Sequence, residues 1–278
     1  MKNLLPTLLI SGLTLCSAAE EVLFSDDFTR GEFSLPSDQW EAVPGDYGRG
    51  QFSGSGWISK ANELYLTLSR FDESAPGATF AQTRLYSKET FAPGPDGTLE
   101  LTFSANIGHD IHKGIIYTVG FANQPNSEGK RSFVRLEIPT SKTANQFKDQ
   151  VRFTFATEWA PALGIRDVLK NPEAGSRKSI KREIGEDLQA RHTFRLKWAE
   201  KKAELYLVED AGERETYIGG HYIDVIPDGP LHLELTAYGS GPEDEEGFSS
   251  ELTIANKIAD PAEINRSLVM ESISVVKR

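Results

Sequence analysis

The chain has 278 residues, 38% of them hydrophobic and 26% charged. That supplies a large core without staples and excludes a disordered chain. With 41 acidic against 30 basic residues the formal net charge is −11, which argues against nucleic-acid backbone binding and is neutral towards uncharged sugars or plain solubility.

Residues 1–19 have the form of a signal peptide. Lys2 gives a basic start, Leu4 to Leu15 is largely apolar, and Ser17, Ala18 and Ala19 precede the acidic Glu20. The apolar run is short for a bilayer span, and no later segment approaches one. The expectation is a secreted or periplasmic protein, with an unusual N-terminal strand as the alternative. A lipid anchor on Cys16 is disfavoured by the bulk of Leu15. Cys16 is the single cysteine, so no disulfide framework and no multi-cysteine metal site is open to this chain.

Residues 20–278 show no repeat and no dividing linker, and read as a single β-sandwich domain. The dominant signal is period-two alternation between clusters of turn residues. Leu64, Leu66 and Leu68 share a face, as do Leu99, Leu101 and Phe103. Ile115 to Phe121 is a more fully apolar strand. In Phe133 to Ile138, Val134, Leu136 and Ile138 oppose Phe133, Arg135 and Glu137. Val151, Phe153 and Phe155 oppose Arg152 and Thr154. Pro161 to Lys170 is the one helical candidate, and Asn171 to Asp187 reads as a charged excursion. Strands follow at Thr193 to Trp198, Ala203 to Val208, Leu231 to Ala237 and Ser267 to Val276. Between the last two, Gly239 to Gly247 is an acidic loop. Many short strands, each with one apolar face, predict an all-β fold of two antiparallel sheets packed face to face. Trp40 and Trp198 are assigned to the core.

Several of these segments, in this order, resemble glycoside hydrolase family 16, the laminarinase-like branch of the concanavalin A-like lectin/glucanases. They are Leu23 to Phe28, Asn62 to Leu68, Leu85 to Phe91, His192 to Trp198 and the closing strand. The resemblance implies a jelly-roll sandwich and a glycan partner. It also implies that a structural calcium ion is possible, with no ligands assigned, and no other cofactor. Fold likeness does not carry the activity, which depends on the site.

The resemblance breaks at the catalytic strand. Family members carry two Glu and an intervening Asp on one strand face. A retaining hydrolase needs a carboxylate nucleophile and a protonated acid about 5 Å apart, and strand alternation delivers that spacing. Here the matching strand reads Arg135-Leu136-Glu137-Ile138-Pro139-Thr140. Arg135 stands at the nucleophile position and Glu137 at the central acid. Pro139, or Thr140 in the longer form of the motif, stands at the acid/base. The standard mechanism is therefore not expected.

The leading expectation is an exported carbohydrate-binding or glycan-associated protein. Its substrate-binding candidates are Arg135, Arg152, Glu158, His232, Tyr238 and Trp57. A divergent glycoside hydrolase or lyase is the second reading, with Glu137 and Glu234 as its carboxylates; Glu137 with Glu158 is another possible pair. A structural sandwich without a sugar ligand is the third. His232, Glu234, Thr236 and Tyr238 alternate against leucines, and together with the Arg135 face they fit either a concave sugar surface or a solvent-facing sheet laced with ion pairs. Trp57 and Trp159 read equally as sugar platforms or loop anchors. His109-Asp110-Ile111-His112 reads as a polar turn rather than a metal site, and no metal is assigned. No phosphate-binding glycine loop or nucleophile elbow occurs.

Overall fold

The structure is a computed structural model. It describes residues 20–29, 38–42, 57–60, 63–66, 81–107, 115–139, 150–159, 176–185, 187–209, 212–222, 227, 229–239 and 268–278. The leader, the helical candidate, the histidine pair at 109 and 112 and the acidic loop after 239 lie outside these residues.

In chain order the strands are β1 (Glu21–Asp26), β2 (Trp40–Ala42), β3 (Trp57–Lys60), β4 (Glu63–Leu66), β5 (Ala81–Phe91), β6 (Thr98–Ile107), β7 (Ile115–Ala122) and β8 (Arg131–Pro139). They continue with β9 (Gln150–Trp159), β10 (Ser176–Glu183), β11 (His192–Ala199), β12 (Lys202–Glu209), β13 (Arg214–Tyr222), β14 (Leu231–Gly239) and β15 (Leu268–Lys277). One sheet runs β13-β12-β11-β6-β15-β4-β3, with β1 also paired to β15, and the other runs β10-β9-β8-β7-β14-β5-β2. Every pairing is antiparallel. The fold is a two-sheet jelly-roll sandwich of concanavalin A-like architecture.

The core forms where the apolar faces meet, as the alternation requires. Leu99, Leu101 and Phe103 of β6 and Phe194, Leu196 and Trp198 of β11 pack against Val134, Leu136 and Ile138 of β8 and Val151, Phe153 and Phe155 of β9. The Phe121 and Trp198 rings, one from each sheet, have centroids 5.3 Å apart. Trp40 is buried, and its indole N–H donates to Asp26 Oδ2 at 2.7 Å.

Two expectations need correction. Trp57 does not lie in a loop: its backbone opens β3, at the end of the eight-stranded sheet. The charged stretch after Asn171 is not a simple excursion. Residues 176–183 form β10, the edge strand of the seven-stranded sheet, which pairs with β9. Its low apolar content hid it, because an edge strand needs only one inward residue per repeat, here Ile180.

Candidate functional site

The seven-stranded sheet turns a second face away from the core, and that face is charged. Residues opposite one another on neighbouring strands project to the same side, so the register lays this face out in rungs. One rung reads Arg177, Ala156, Phe133, Ala122, His232, Thr90. The next reads Ser179, Thr154, Arg135, Gly120, Glu234, Tyr86, Glu41. The third reads Lys181, Arg152, Glu137, Thr118, Thr236, Arg84.

At the centre, one guanidinium joins two carboxylates. Arg135 Nη1 donates to Glu234 Oε2 at 3.0 Å, while its Nε and Nη2 donate to Glu137 Oε1 at 3.2 and 3.0 Å. Gly120 makes this reach possible. It stands on β7 between Arg135 and Glu234, and a Cβ there would lie 2.3 Å from the Val134 carbonyl oxygen and 2.5 Å from Arg135 Cα. With no side chain in the way, the arginine crosses a whole strand.

Around this bridge the charges continue. Arg131 pairs closely with Glu234 Oε1, and Arg84 Nε lies 3.4 Å from the same oxygen. Arg177 Nη2 is 3.5 Å from Glu137 Oε1, and Arg152 Nη1 is 3.9 Å from Glu137 Oε2. Glu137 and Glu234 are fully buried, and Arg84, Arg131 and Arg135 nearly so. Burial pushes both carboxyls up. For Glu234 the cations Arg131, Arg135 and Arg84 outweigh it, and for Glu137 Arg135, Arg177 and Arg152 do, so both are held below their ordinary range. Both are therefore carboxylates at neutral pH. Tyr86 is pushed up to about 12 by burial and by the Glu234 charge, so it stays a phenol.

The third rung carries unmet hydrogen-bonding capacity. Glu137 Oε2, Thr118 Oγ1, Thr236 Oγ1 and Arg84 Nε are buried and make no hydrogen bond, and they stand on four consecutive strands. Arg84 Nε and Glu137 Oε2 are met by charge across 3.4 Å to Glu234 and 3.9 Å to Arg152, while the two threonine hydroxyls make no hydrogen bond to the protein.

Aromatic groups close one end. Arg135 lies over the Phe133 ring at 4.0 Å, and Phe133 meets Trp159 edge-on at 5.9 Å. Arg177 lies over Trp159 at 5.2 Å. His232 is half-buried beside Tyr86, and its Nδ1 is 2.7 Å from the Ser87 carbonyl oxygen. That oxygen can only accept, so Nδ1 is the donor in this contact.

Of the residues singled out in the sequence, Glu137, Glu234, Arg135, Arg152 and His232 are brought onto this one face. Tyr238 occupies the β14 position opposite Ile116 and Gln82. Glu158 departs from the expected alternation with Arg152 and Thr154. A bulge falls between β8 and β9 here, and Glu158 takes a left-handed φ of 49° and is exposed. Trp159 instead stands opposite Arg131 on the polar face. Trp57 belongs to the other sheet. Arg84, Tyr86, Arg131 and Arg177 were not singled out. Alternation could have found three of them: Arg131 continues the Phe133, Arg135, Glu137 series, and Arg84 and Tyr86 flank the core residue Leu85. Arg177 could not be found until β10 was known to be a strand. Among the described residues no group of three or more His, Cys, Asp or Glu is gathered for a metal ion.

No family model and no curated protein matches this chain. Solved structures do. An endo-1,3-β-glucanase from Streptomyces sioyaensis matches with a TM-score of 0.59 at 12% identity, over 94% of this chain and 97% of that one. Porphyranase B from Zobellia galactanivorans matches with a TM-score of 0.58 at 11% identity, over 92% of each chain. A β-1,3-1,4-glucanase (lichenase) from a mouse hindgut metagenome matches with a TM-score of 0.55 at 15% identity, over 91% and 97%. The fold thus resembles the family 16-type jelly roll of the concanavalin A-like glucanases, and at these identities the likeness is one of fold.

Proposed function

We propose that the charged face of the seven-stranded sheet is a polysaccharide site and that the protein is glycan-associated. The observation that carries this is the buried Glu137–Arg135–Glu234 bridge, flanked at its edge by the partly exposed Arg152 and Arg177 and by Trp159. Ionic groups taken out of water add little stability that apolar packing could not match. Fixed donors and acceptors beside a flat, half-exposed ring such as Trp159 suit a sugar, whose hydroxyls need the former and whose C–H face stacks on the latter.

Cleavage of the bound chain is the second reading, and the structural likeness favours it over binding alone, because the three similar structures are named as glucanases and a porphyranase. The residues set a condition on it. Glu137 and Glu234 are both ionised, with Arg135 between them, so this pair lacks the protonated acid of a retaining hydrolase. In this reading another group moves the proton, and we assign that step to His232, half-buried on the same face next to Glu234 on β14.

The leader adds an extracellular or periplasmic setting to the proposal, which N-terminal sequencing of the exported protein tests. For the site, the protein is run in native gels containing each of a panel of neutral and acidic polysaccharides. The same mixtures are assayed for new reducing ends and for the ultraviolet absorbance of unsaturated ends. Retardation without products supports a binding protein, and products support the cleavage form. Neither retardation nor products on any polymer overturns the proposal.

A further inference from the structure

We infer that the β9–β10 side of this face selects an acidic sugar, reading a carboxylate or sulfate group with Arg152, Arg177 and Lys181. The inference rests on the polysaccharide reading and names its substrate class.

In a chain of net charge −11, strand β10 is strongly basic. Its sequence Ser-Arg-Lys-Ser-Ile-Lys-Arg-Glu carries four cations and one carboxylate. Alternation divides the cations between two jobs. Lys178 and Arg182 turn towards β13, where Lys178 Nζ is 3.0 Å from His221 Nε2 and Arg182 Nε donates to the Ile218 carbonyl at 3.1 Å. Arg177 and Lys181 take the polar face, Lys181 directly opposite Arg152 on β9. Glu183, two residues further, is exposed and accepts from Gln150 Nε2 at 3.3 Å.

These three cations are accessible, unlike the central ones. The side chains of Arg177 and Arg152 are 33% and 23% exposed, and Lys181 is exposed. Glu137 is the carboxylate that both arginines approach. Arg135 already holds Glu137 Oε1 with two nitrogens, and Arg152 stands 3.9 Å from Oε2, beyond hydrogen-bond reach. The partly exposed guanidiniums therefore keep donors to offer an anion arriving from solvent. Trp159 lies beneath Arg177, and its ring is half-exposed. An aromatic surface and a cationic cluster together fit a charged sugar better than a neutral one. Arginine in particular matches carboxylate and sulfate oxygens with paired donors.

The test uses the full chain and three kinds of polymer: a polyuronate, the same polyuronate with its carboxyl groups reduced to alcohols, and a sulfated galactan. The wild-type protein should bind the polyuronate or the sulfated galactan at least about tenfold more tightly than the carboxyl-reduced polymer, and binding should weaken with salt. The Arg152→Gln/Arg177→Gln variant removes two of the three cations around the buried Glu137, so its melting temperature should fall, and circular dichroism at the assay temperature should show that it is still folded. Its affinity for the acidic polymer should fall towards its affinity for the carboxyl-reduced one, so that most of the preference is lost. Preference for the polyuronate assigns the site to carboxylates, and preference for the galactan assigns it to sulfate esters. Equal affinity for native and reduced polymers, or an unchanged preference in the folded double variant, overturns the inference but leaves the polysaccharide site standing. Failure to bind any polymer overturns both.

Discussion

Replacing Glu234 by Gln tests the buried network where it is densest. The side chain is fully buried, and its carboxylate is shared by Arg84 at 3.4 Å, Arg135 at 3.0 Å and Arg131. Glu234→Gln keeps the shape and removes the charge, so three buried guanidiniums lose a shared counter-ion. Removing one partner of a buried ion pair costs about 3–5 kcal/mol, because the remaining charge stays out of water. In a chain of this size each kcal/mol lowers the melting temperature by roughly 2–4 °C, so a drop on the order of 10 °C is expected. The exposed carboxylate Glu183, changed to Gln, should move stability by less than about 0.5 kcal/mol. Thermal melting and urea titration followed by circular dichroism measure both. A drop of less than about 2 °C for Glu234→Gln would refute the reasoning, since it would mean that the carboxylate is not holding buried cations.

Acid should unfold the protein through the same groups. Glu137 and Glu234 are held below the ordinary carboxylate range, so their contribution is fully present above the unfolded value of about 4.3. It is lost as pH falls towards their folded values. Urea titrations below pH 4 should show stability falling with a slope approaching about 2.7 kcal/mol per pH unit for the two groups, and Glu234→Gln should roughly halve it. Gly120→Ala should destabilise by about 1–3 kcal/mol or abolish soluble expression, because the new methyl group meets backbone atoms of β8 rather than a movable side chain. Alkaline spectrophotometric titration of Tyr86→Phe against wild type should assign to Tyr86 a phenol that ionises only near pH 12. If the protein cleaves a polysaccharide, His232→Gln should lower kcat about 100-fold or more.

The sandwich was legible in the sequence because its physics is periodic. Leu99, Leu101 and Phe103, or Val151, Phe153 and Phe155, declare one buried face each, and the observed core uses these residues. The same rule placed Arg135 and Glu137 together on the other face, and Glu234 on a second strand's polar side. What alternation could not give was the register between strands remote in sequence. Glu234 reaches Arg135 only because β7 lies between β14 and β8 and carries Gly120 at the crossing point. Burial of the polar face was also hidden, since a charged strand face ordinarily looks to water. Glu158 failed for a local reason: the bulge breaks the period two residues before the strand ends and passes the polar-face position to Trp159.

Hydroxyl-radical footprinting with and without a bound polysaccharide addresses the assignment of the site most directly. The half-exposed Trp159 on the charged face and the exposed Tyr217 and Tyr222 on β13 of the opposite sheet are internal reporters in one chain. Saturation with a polymer that retards the protein should slow the oxidation of Trp159 several-fold and leave Tyr217 and Tyr222 unchanged. Protection of the two tyrosines with Trp159 still reactive would place the glycan on the other sheet and contradict the account.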